Sequence, residues 1–274
     1  MVLQNIIADS KNDILYRKWD VHNPKIAVLL VHGLGAHGER WEFLANYLLQ
    51  HNVSSYAIEL KGFGQTPTLK GHIDSFKTYY RDVYNLCLIM KSQMPEQKVF
   101  VIGESMGGLI AFLMAVRDPH IFNGLICISP AFKSIIKVSI LEYMDIFSSL
   151  LYNPKKQFIM HFDSKMCTRD ENYQQFMDKN PLEHRFATSK LLTNILSAQI
   201  ASCTAVREIA IPVLFLLGGK DVMIDARTSE DKFKKLCVKD KMLIKYPDMY
   251  HALSIDLGRE KVFQDILGWL EKRI

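Results

Sequence analysis

Short, densely apolar runs alternate with helical patterns along this chain, and this alternation constrains its fold more than any other feature of the sequence. The clearest run, KIAVLLV at Lys25–Val31, stops at a glycine turn, as expected of a strand that is buried on both faces. Strands of this kind joined by helices are typical of parallel sheets. The sequence therefore predicts an α/β fold with a mostly parallel central sheet flanked by helices.

The predicted parallel strands are Lys25–Val31, Ser55–Ile58, Val99–Ile102, Leu125–Ile128, Val213–Leu217 and Met242–Tyr246, and an antiparallel strand is predicted at Ile14–Trp19. The predicted helices are Trp41–Leu49, Phe76–Met90, Leu109–Val116, Thr228–Leu236 and Val262–Leu270.

One long segment interrupts this alternation. From about Phe132 to Ile209 the sequence contains no convincing strand, and this stretch lies between the fourth and fifth parallel strands. We expect a core made of residues 1–131 and 210–274, with residues 132–209 forming a helical cap over the C-terminal edge of the sheet. Five apolar residues of the cap are spaced to share one helical face, which either lines a ligand tunnel or packs on the core. They are Ile136, Ile140, Met144, Phe147 and Leu151.

Composition excludes several classes of protein. The 274 residues carry 34 Lys and Arg against 29 Asp and Glu, a net charge of +5, and the basic residues are scattered, so no nucleic-acid partner is expected. The five cysteines are widely spaced without a C-x-x-C pair, which favours free thiols in a reducing compartment. The N-terminal residues lack the basic start of a secretory signal, and no apolar run reaches the ~18–20 residues that cross a bilayer. A soluble cytoplasmic protein is expected.

The motif Gly103-Glu104-Ser105-Met106-Gly107 supplies a candidate nucleophile. It is a G-x-S-x-G pattern that follows a predicted strand and precedes a predicted helix, which is the context of a nucleophile elbow. Side chains at the two glycines would collide with neighbouring backbone in such a turn. We predict that Ser105 is the nucleophile, and that the Met106 N–H at the start of the helix stabilises an oxyanion.

A serine nucleophile needs a base, and the base needs an acid that orients it. Among nine histidines, His251 is the candidate base, because it lies after the last predicted strand in the loop before the C-terminal helix. Asp221 follows the strand Val213–Leu217 and is the candidate acid. Asp225 is the reserve candidate, with capping of a helix as its alternative role. No metal and no cofactor are expected, because no ligand cluster or phosphate-binding loop accompanies these residues.

The loop His32-Gly33-Leu34-Gly35, after the first buried strand, is the candidate for the second oxyanion donor. Its glycines allow backbone amides to turn inward, and we assign the donor to the Leu34 N–H. His32 directly follows a buried strand. We therefore predict that it hydrogen-bonds the loops around the oxyanion pocket and does not act as the base.

Together these residues resemble the α/β-hydrolase family, and within it the monoacylglycerol lipases and their lysophospholipase-like relatives. His32–Trp41 (HGLGAHGERW) resembles the H-G-x-G-x-H-x-x-R-[YF] motif of that group, and Glu59–Thr66 (ELKGFGQT) is similar to its D-x-x-G-H-G-x-S loop. Gly103–Gly108 matches the G-x-S-M-G-G elbow. The resemblance extends from about Leu15 to Leu270.

The resemblance implies a serine hydrolase with a triad of Ser105, Asp221 and His251 and an oxyanion hole formed by the amides of Leu34 and Met106. Such an enzyme needs no cofactor. The implied substrate is a small-molecule acyl ester, foremost a monoacylglycerol-type lipid, with the acyl chain under the cap.

Several expectations about the substrate side accompany this resemblance. Residues of the cap that face outward would allow peripheral contact with a membrane or micelle. A lysophospholipid, a short-chain or aryl ester, or a thioester suits the same chemistry, and a non-catalytic relative that binds a small apolar ligand is a distant alternative. The expected substrate contacts are Ile136, Ile140, Met144 and Phe147.

Overall fold

The computed structural model describes residues 6–274, and a central sheet of eight strands runs through them. Residues 1–5, part of the N-terminal segment for which no secretory signal is expected, lie outside the described residues. The strands are β1 (Ile7–Asp9), β2 (Ile14–Trp19), β3 (Ile26–Val31), β4 (Val53–Glu59), β5 (Lys98–Glu104), β6 (Gly124–Ile128), β7 (Gln157–Ile159), β8 (Phe186–Thr188), β9 (Val213–Gly218) and β10 (Lys241–Tyr246).

The order of the strands in the central sheet is β1-β2-β4-β3-β5-β6-β9-β10. Every pair from β4 to β10 in this order is parallel, whereas β2 pairs with both β1 and β4 in antiparallel fashion. The six predicted parallel strands and the antiparallel strand Ile14–Trp19 are therefore confirmed. Strand β1 was not predicted, because three residues are too few to show a period of two.

The helices are α1 (Glu42–Gln50), α2 (Phe76–Gln93), α3 (Met106–Arg117), α4 (Ile140–Tyr152), α5 (Ser164–Cys167), α6 (Glu171–Lys179), α7 (Ser189–Ala205), α8 (Ala226–Lys235) and α9 (Arg259–Glu271), with short 3-10 turns at Gly38–Trp41 and Val206–Glu208. The five predicted helices are confirmed as α1, α2, α3, α8 and α9, with ends that differ by a few residues.

The apolar runs are dense because both faces of the sheet are covered. Successive side chains of a strand point to opposite faces. In β3, Leu29 and Val31 pack in the cluster that contains α2 and α3, whereas Val28 and Leu30 pack in the cluster that contains α1 and α9. The carboxyl ends of the parallel strands therefore share one edge, and the chemistry-bearing loops emerge there.

Residues 132–209, here called the inserted segment, leave the sheet after β6 and return to it at β9. They contain α4 to α7, but also the antiparallel pair β7 and β8, in which Phe158 lies opposite Ala187. The prediction that this segment contains no strand is therefore wrong. Each of these strands has three residues, and their pairing joins positions about thirty residues apart, so no local pattern indicates them.

Buried polar contacts attach the inserted segment to the rest of the protein. The Asp256 carboxylate, fully buried, accepts hydrogen bonds from the Thr168 hydroxyl at 3.1 Å and from the Arg169 backbone N–H at 2.7 Å. Arg40 makes a bidentate salt bridge with Glu183, in which both N–O distances are 2.6 Å. These contacts attach the segment to the chain that follows β3 and to the loop between β10 and α9.

Candidate active site

Ser105 occupies the turn between β5 and α3, with φ 57° and ψ −120°. This left-handed conformation is rare for a residue with a side chain. The turn is tight enough that a Cβ on Gly103 would collide with the Gly107 carbonyl, and a Cβ on Gly107 would collide with the Val31 carbonyl. The two glycines of the motif are therefore required by close backbone approach, as the sequence predicts.

His251 and Asp221 form a buried pair beside this turn. His251 Nδ1 donates to Asp221 Oδ2 at 2.7 Å, and Asp221 Oδ1 accepts from the backbone N–H groups of Met223 at 2.8 Å and Ile224 at 3.0 Å. Since the carboxylate can only accept, the proton lies on Nδ1 and the other ring nitrogen, Nε2, is left as a base. The structure thus brings together the predicted base and the predicted acid.

The electrostatics of this pair favour an ionised acid and a basic imidazole. Burial alone would lower the pKa of His251, but the charge and hydrogen bond of Asp221 outweigh it and raise that pKa above its ordinary value. Burial likewise opposes ionisation of Asp221, and the imidazole with the two backbone N–H donors lowers its pKa overall. Protonation of His251 removes its base function, so activity that depends on it declines as the pH falls through this raised pKa.

The reserve acid, Asp225, has a different role in the structure. Its carboxylate accepts from the Arg227 N–H at 3.1 Å as the N-cap of α8, and it also contacts Lys133 and Thr228. Asp225 therefore has the alternative role of capping a helix, and the carboxylate that accepts the hydrogen bond from His251 is that of Asp221.

Ser105 and His251 line one cavity of about 230 Å³ at the carboxyl edge of the sheet. Leu34 and Met106, the predicted oxyanion residues, line the same cavity. Met106 is the first residue of α3, where a backbone N–H has no acceptor within the helix and the helix dipole favours negative charge.

His32 bridges the two loops that follow β3 and β4. Its Nε2 accepts from the Leu60 N–H at 3.0 Å and its Nδ1 donates to the Gly33 carbonyl at 2.8 Å. Burial lowers the pKa of His32 to about 3, so the ring is neutral. With both nitrogens bonded to backbone, His32 holds the loop that carries Leu34 in position.

The four predicted substrate contacts divide into two pairs. Ile136 and Phe147 line the cavity, but Ile140 and Met144 are not part of its wall and are 79% and 63% exposed. The even spacing predicted one helical face, yet α4 begins only at Ile140, so Ile136 precedes the helix. The helix turns a different side inward, and sequence spacing alone does not report that rotation. The cavity wall instead includes Tyr143, Ile146, Met160, Phe162, Leu192 and Ile195.

Two charged residues of the cavity wall, Arg40 and Glu104, were not predicted as parts of the site. Arg40 is paired with Glu183, which lies 143 positions away in the sequence. Glu104 accepts two hydrogen bonds from Ser254. Both residues lie within motifs that the sequence shows, Arg40 in the loop after β3 and Glu104 in the elbow. Their partners are brought to them by tertiary packing, so the sequence alone does not indicate what either residue does.

Metal-binding clusters and membrane-spanning helices are absent from residues 6–274. Those residues contain no cluster of three or more His, Cys, Asp or Glu that is arranged to hold a metal ion. Of the helices described, none combines the length and the apolarity needed to cross a bilayer.

Comparison with known proteins agrees with this geometry. Residues 22–258 match the model of the family described as serine aminopeptidase, S33. The monoglyceride lipase of Homo sapiens is 27% identical over 260 residues, which cover 91% of this chain and 84% of that protein. Phospholipase YtpA of Bacillus subtilis is 26% identical over 264 residues, which cover 93% of this chain and 99% of that protein. The crystal structure of a monoacylglycerol lipase from Paleococcus ferrophilus superposes with a TM-score of 0.87 at 25% identity, covering 95% of this chain and 99% of that one.

The sheet, the elbow and these relatives define a carboxylic-ester hydrolase with the α/β-hydrolase fold. The chain belongs to the serine aminopeptidase S33 family, whose model spans most of its length. The predicted fold class and the predicted resemblance to monoacylglycerol lipases are thereby confirmed.

Proposed function

We propose that this enzyme hydrolyses esters of single acyl chains, with monoacylglycerol-type lipids as the preferred substrates, through an acyl-enzyme on Ser105. The observation that carries the proposal is the single cavity shared by Ser105, His251 and the apolar side chains of the inserted segment. A chain bound along those side chains presents its ester carbonyl to the serine. The similarity to the monoglyceride lipase of Homo sapiens and to the monoacylglycerol lipase of Paleococcus ferrophilus supports this choice of substrate.

The proposed reaction has two halves. In the first, His251 Nε2 takes the Ser105 proton while Oγ attacks the ester carbonyl, and the tetrahedral oxyanion accepts from the N–H groups of Leu34 and Met106. His251 then gives its proton to the departing alcohol oxygen, and the acyl group stays on Oγ. In the second half, His251 takes a proton from water, the hydroxide attacks the acyl carbonyl, and the proton returns to Ser105 as the fatty acid leaves.

In this proposal the inserted segment acts as the cap that covers the acyl chain. Its cavity-facing residues Ile136, Ile146, Phe147 and Met160 supply an apolar wall, which excludes water from the chain and favours long acyl groups. The proposed division of the chain is a core of residues 1–131 and 210–274 and a cap of residues 132–209.

We further propose that α4 contacts the lipid surface from which substrate is drawn. Its outward side chains Ile140, Leu141, Met144 and Leu151 are largely exposed and adjacent, which is the composition of a surface that lies in a lipid interface. Basic residues flank the helix at Lys137 and Lys155, as expected for contact with anionic headgroups. A cytoplasmic location agrees with the five free cysteines, two of which are exposed.

The test is hydrolysis of p-nitrophenyl esters from acetate to palmitate beside monoacylglycerol and lysophosphatidylcholine, with Ser105→Ala as the blank. We expect the rate to peak at medium or long chains, monoacylglycerol to be the best natural ester, and Ser105→Ala to lose about 10⁴-fold in kcat or more. Activity of Ser105→Ala near that of the wild type would exclude the acyl-enzyme.

A matched pair of variants tests the acid. We expect Asp221→Asn to lose about 10³- to 10⁴-fold in kcat, because the imidazole loses the acceptor that fixes its tautomer. Asp225→Asn removes a carboxylate four residues away and is expected to retain most activity. The opposite ranking would reassign the acid.

Lysophospholipid hydrolysis is the second candidate, favoured by the similarity to phospholipase YtpA of Bacillus subtilis, which covers nearly the whole of both chains. Faster turnover of lysophosphatidylcholine than of monoacylglycerol with the same acyl chain would select it. Turnover of short or aryl esters alone would instead indicate a general carboxylesterase.

A further inference from the structure

Glu104, the residue before Ser105, has an environment that the proposed triad does not explain. It is buried at the wall of the cavity. Its Oε1 accepts from the Ser254 N–H at 3.1 Å and its Oε2 accepts from the Ser254 hydroxyl at 2.9 Å. Burial raises the pKa of Glu104 above its ordinary value, while the hydrogen bonds from Ser254 and the charges of His251 and Arg40 act in the opposite direction and favour the ionised carboxylate.

The partner of Glu104 lies in the loop of the catalytic histidine. Ser254 is three residues after His251, between β10 and α9, and it is itself buried. The two hydrogen bonds therefore join the end of β5, next to the nucleophile, to the loop that carries the base. Asp221, in the loop after β9, bonds His251 itself, so the histidine and its loop are held from the ends of two strands.

The charges around this end of the cavity come from several elements. Arg40, after β3, faces both Glu104 and His251, and its charge is compensated by Glu183. Asp221 faces His251 from the loop after β9.

The inserted segment contributes two further groups that face Glu104, Cys167 and Tyr173. Burial raises the pKa of Cys167 to about 12 and also raises that of Tyr173, so both are neutral. Among residues 6–274 the Glu104 carboxylate forms no salt bridge, and a negative charge on it raises the pKa of His251.

We propose that Glu104 is a positioning residue for the hydrolysis proposed above, on which this inference rests: it holds the loop of His251 and places a second negative charge near the imidazole. That charge stabilises the imidazolium that forms when His251 takes the Ser105 proton. Glu104 thereby sets the pH at which hydrolysis declines on the acid side.

The sign of the effect follows from the charge. A nearby carboxylate favours the protonated imidazole and so raises the pKa of His251, as Asp221 also does. Removal of the Glu104 charge lowers that pKa, so His251 remains an unprotonated base to a lower pH. The same change makes the imidazolium less stable in the transition state, so the maximal rate falls.

The experiment measures kcat and kcat/KM against pH with a soluble p-nitrophenyl ester for the wild type, Glu104→Gln and Glu104→Asp. For Glu104→Gln we expect the midpoint of the acid limb to move down by about 0.5 pH units or more, with kcat about tenfold lower and KM within about twofold. Glu104→Asp keeps the charge and is expected to keep the midpoint near that of the wild type. An unchanged midpoint in Glu104→Gln overturns the proposal.

A second readout separates this inference from the proposed reaction. The proton on Nδ1 of His251, shared with Asp221, gives a downfield proton NMR resonance that can be titrated in Ser105→Ala, which is incapable of the proposed turnover. Loss of the resonance in His251→Gln assigns it. Addition of Glu104→Gln is expected to lower the midpoint of this titration. If the wild type lacks Ser105-dependent hydrolysis, the proposed function fails while the titration still decides the role of Glu104.

If Glu104→Gln does not fold, Ser254 carries the test. We expect Ser254→Ala to lower kcat about three- to tenfold without a change in KM, because the loop of His251 is held by one bond fewer, and Ser254→Thr to restore the rate. Activity of Ser254→Ala equal to that of the wild type overturns the proposal.

Discussion

Two parts of the inserted segment are built in opposite ways. Helix α4 has an apolar outer side, with Leu151 91% exposed, and only Ile146 and Ser149 of its residues are buried. Residues 163–188, here called the anchored part, contact the core through buried charges and hydrogen bonds. Within one inserted segment, α4 thus has the exposed apolar side chains of a surface helix, whereas the anchored part has the buried contacts of a protein core.

The contacts of the anchored part converge on the loops of the candidate active site. Asp256 accepts from Thr168 and Arg169 of the anchored part and also from the Tyr250 N–H, next to His251, at 2.8 Å. The Ala252 N–H, on the other side of His251, donates to the Cys167 carbonyl at 2.9 Å. The loop of His251 is therefore held by the inserted segment as well as by the sheet.

The difference teaches which part of the segment is free to change. In the anchored part, buried polar groups have lost water and depend on their partners. In α4, the outward residues contact little protein, so their replacement costs little folding free energy. The following variants test this contrast, from the largest expected effect to the smallest.

Glu183→Gln tests the anchored part most severely. It removes the negative charge that accompanies the buried Arg40 guanidinium, and we expect a loss of about 3–5 kcal/mol in the free energy of unfolding, measured by denaturant titration. Glu171→Gln is the control, because this carboxylate is exposed in the same segment, and it is expected to change stability by less than about 0.5 kcal/mol. Equal effects in both variants would contradict the contrast.

Ile146→Ala tests the inner side of α4. Ile146 is buried and lines the cavity, so its truncation enlarges the cavity and costs about 2–5 kcal/mol in stability. We expect the preferred ester in the p-nitrophenyl series to become longer or bulkier. An unaltered preference in a folded variant would assign Ile146 to packing only.

Asp256→Asn tests the Asp256 joint, the set of hydrogen bonds by which Asp256 links Thr168 and Arg169 of the anchored part to Tyr250 in the loop of His251. An amide offers one acceptor oxygen where the carboxylate has two, so an N–H of Tyr250 or Arg169 loses its partner. We expect a loss of about 1–3 kcal/mol in stability, with kcat on a soluble ester falling about tenfold. Loss of stability with an unaltered kcat would mean that the joint does not position the base.

Ile140→Ser with Leu141→Ser tests the outer side of α4 and is expected to have the smallest effect on the protein itself. Both side chains are exposed, so the free energy of unfolding should stay within about 0.5 kcal/mol of that of the wild type. The rate of hydrolysis of a soluble ester should be unchanged. Association with anionic vesicles, measured by flotation, should decrease several-fold. Leu88→Ser, on the outer side of α2, is the control and should leave association unchanged; equal losses in both would reject α4 as the lipid-contacting surface.

How far the sequence predicts this structure depends on the distance between interacting residues. The strands and the elbow were predicted because their signals are local: a dense apolar run, and two glycines around Ser105 where a side chain would collide. The Asp221–His251 pair was predicted from its order along the chain, since the ends of parallel strands meet at one edge.

The inserted segment was predicted less well, for the same physical reason. Strands β7 and β8 acquire their extended form by pairing with each other, and the rotation of α4 depends on what lies beneath it. The Arg40–Glu183 pair joins remote positions, so neither residue indicates its partner. Ile140 and Met144 show the result, because an apolar stripe reports that a face is apolar and not which way it points.

The Asp256 joint has a consequence for recombining this protein with its relatives. A crossover at the two ends of the inserted segment that brings in other residues at positions 168 and 169 would remove the Thr168 hydroxyl and the Arg169 guanidinium, and the buried Asp256 carboxylate would lose both side-chain donors. A crossover that exchanges only residues 136–156 leaves the joint intact. The part that can be exchanged between relatives is thus smaller than the inserted segment. Chimeras with crossovers at the two ends of the inserted segment should refold poorly even when both parents are stable.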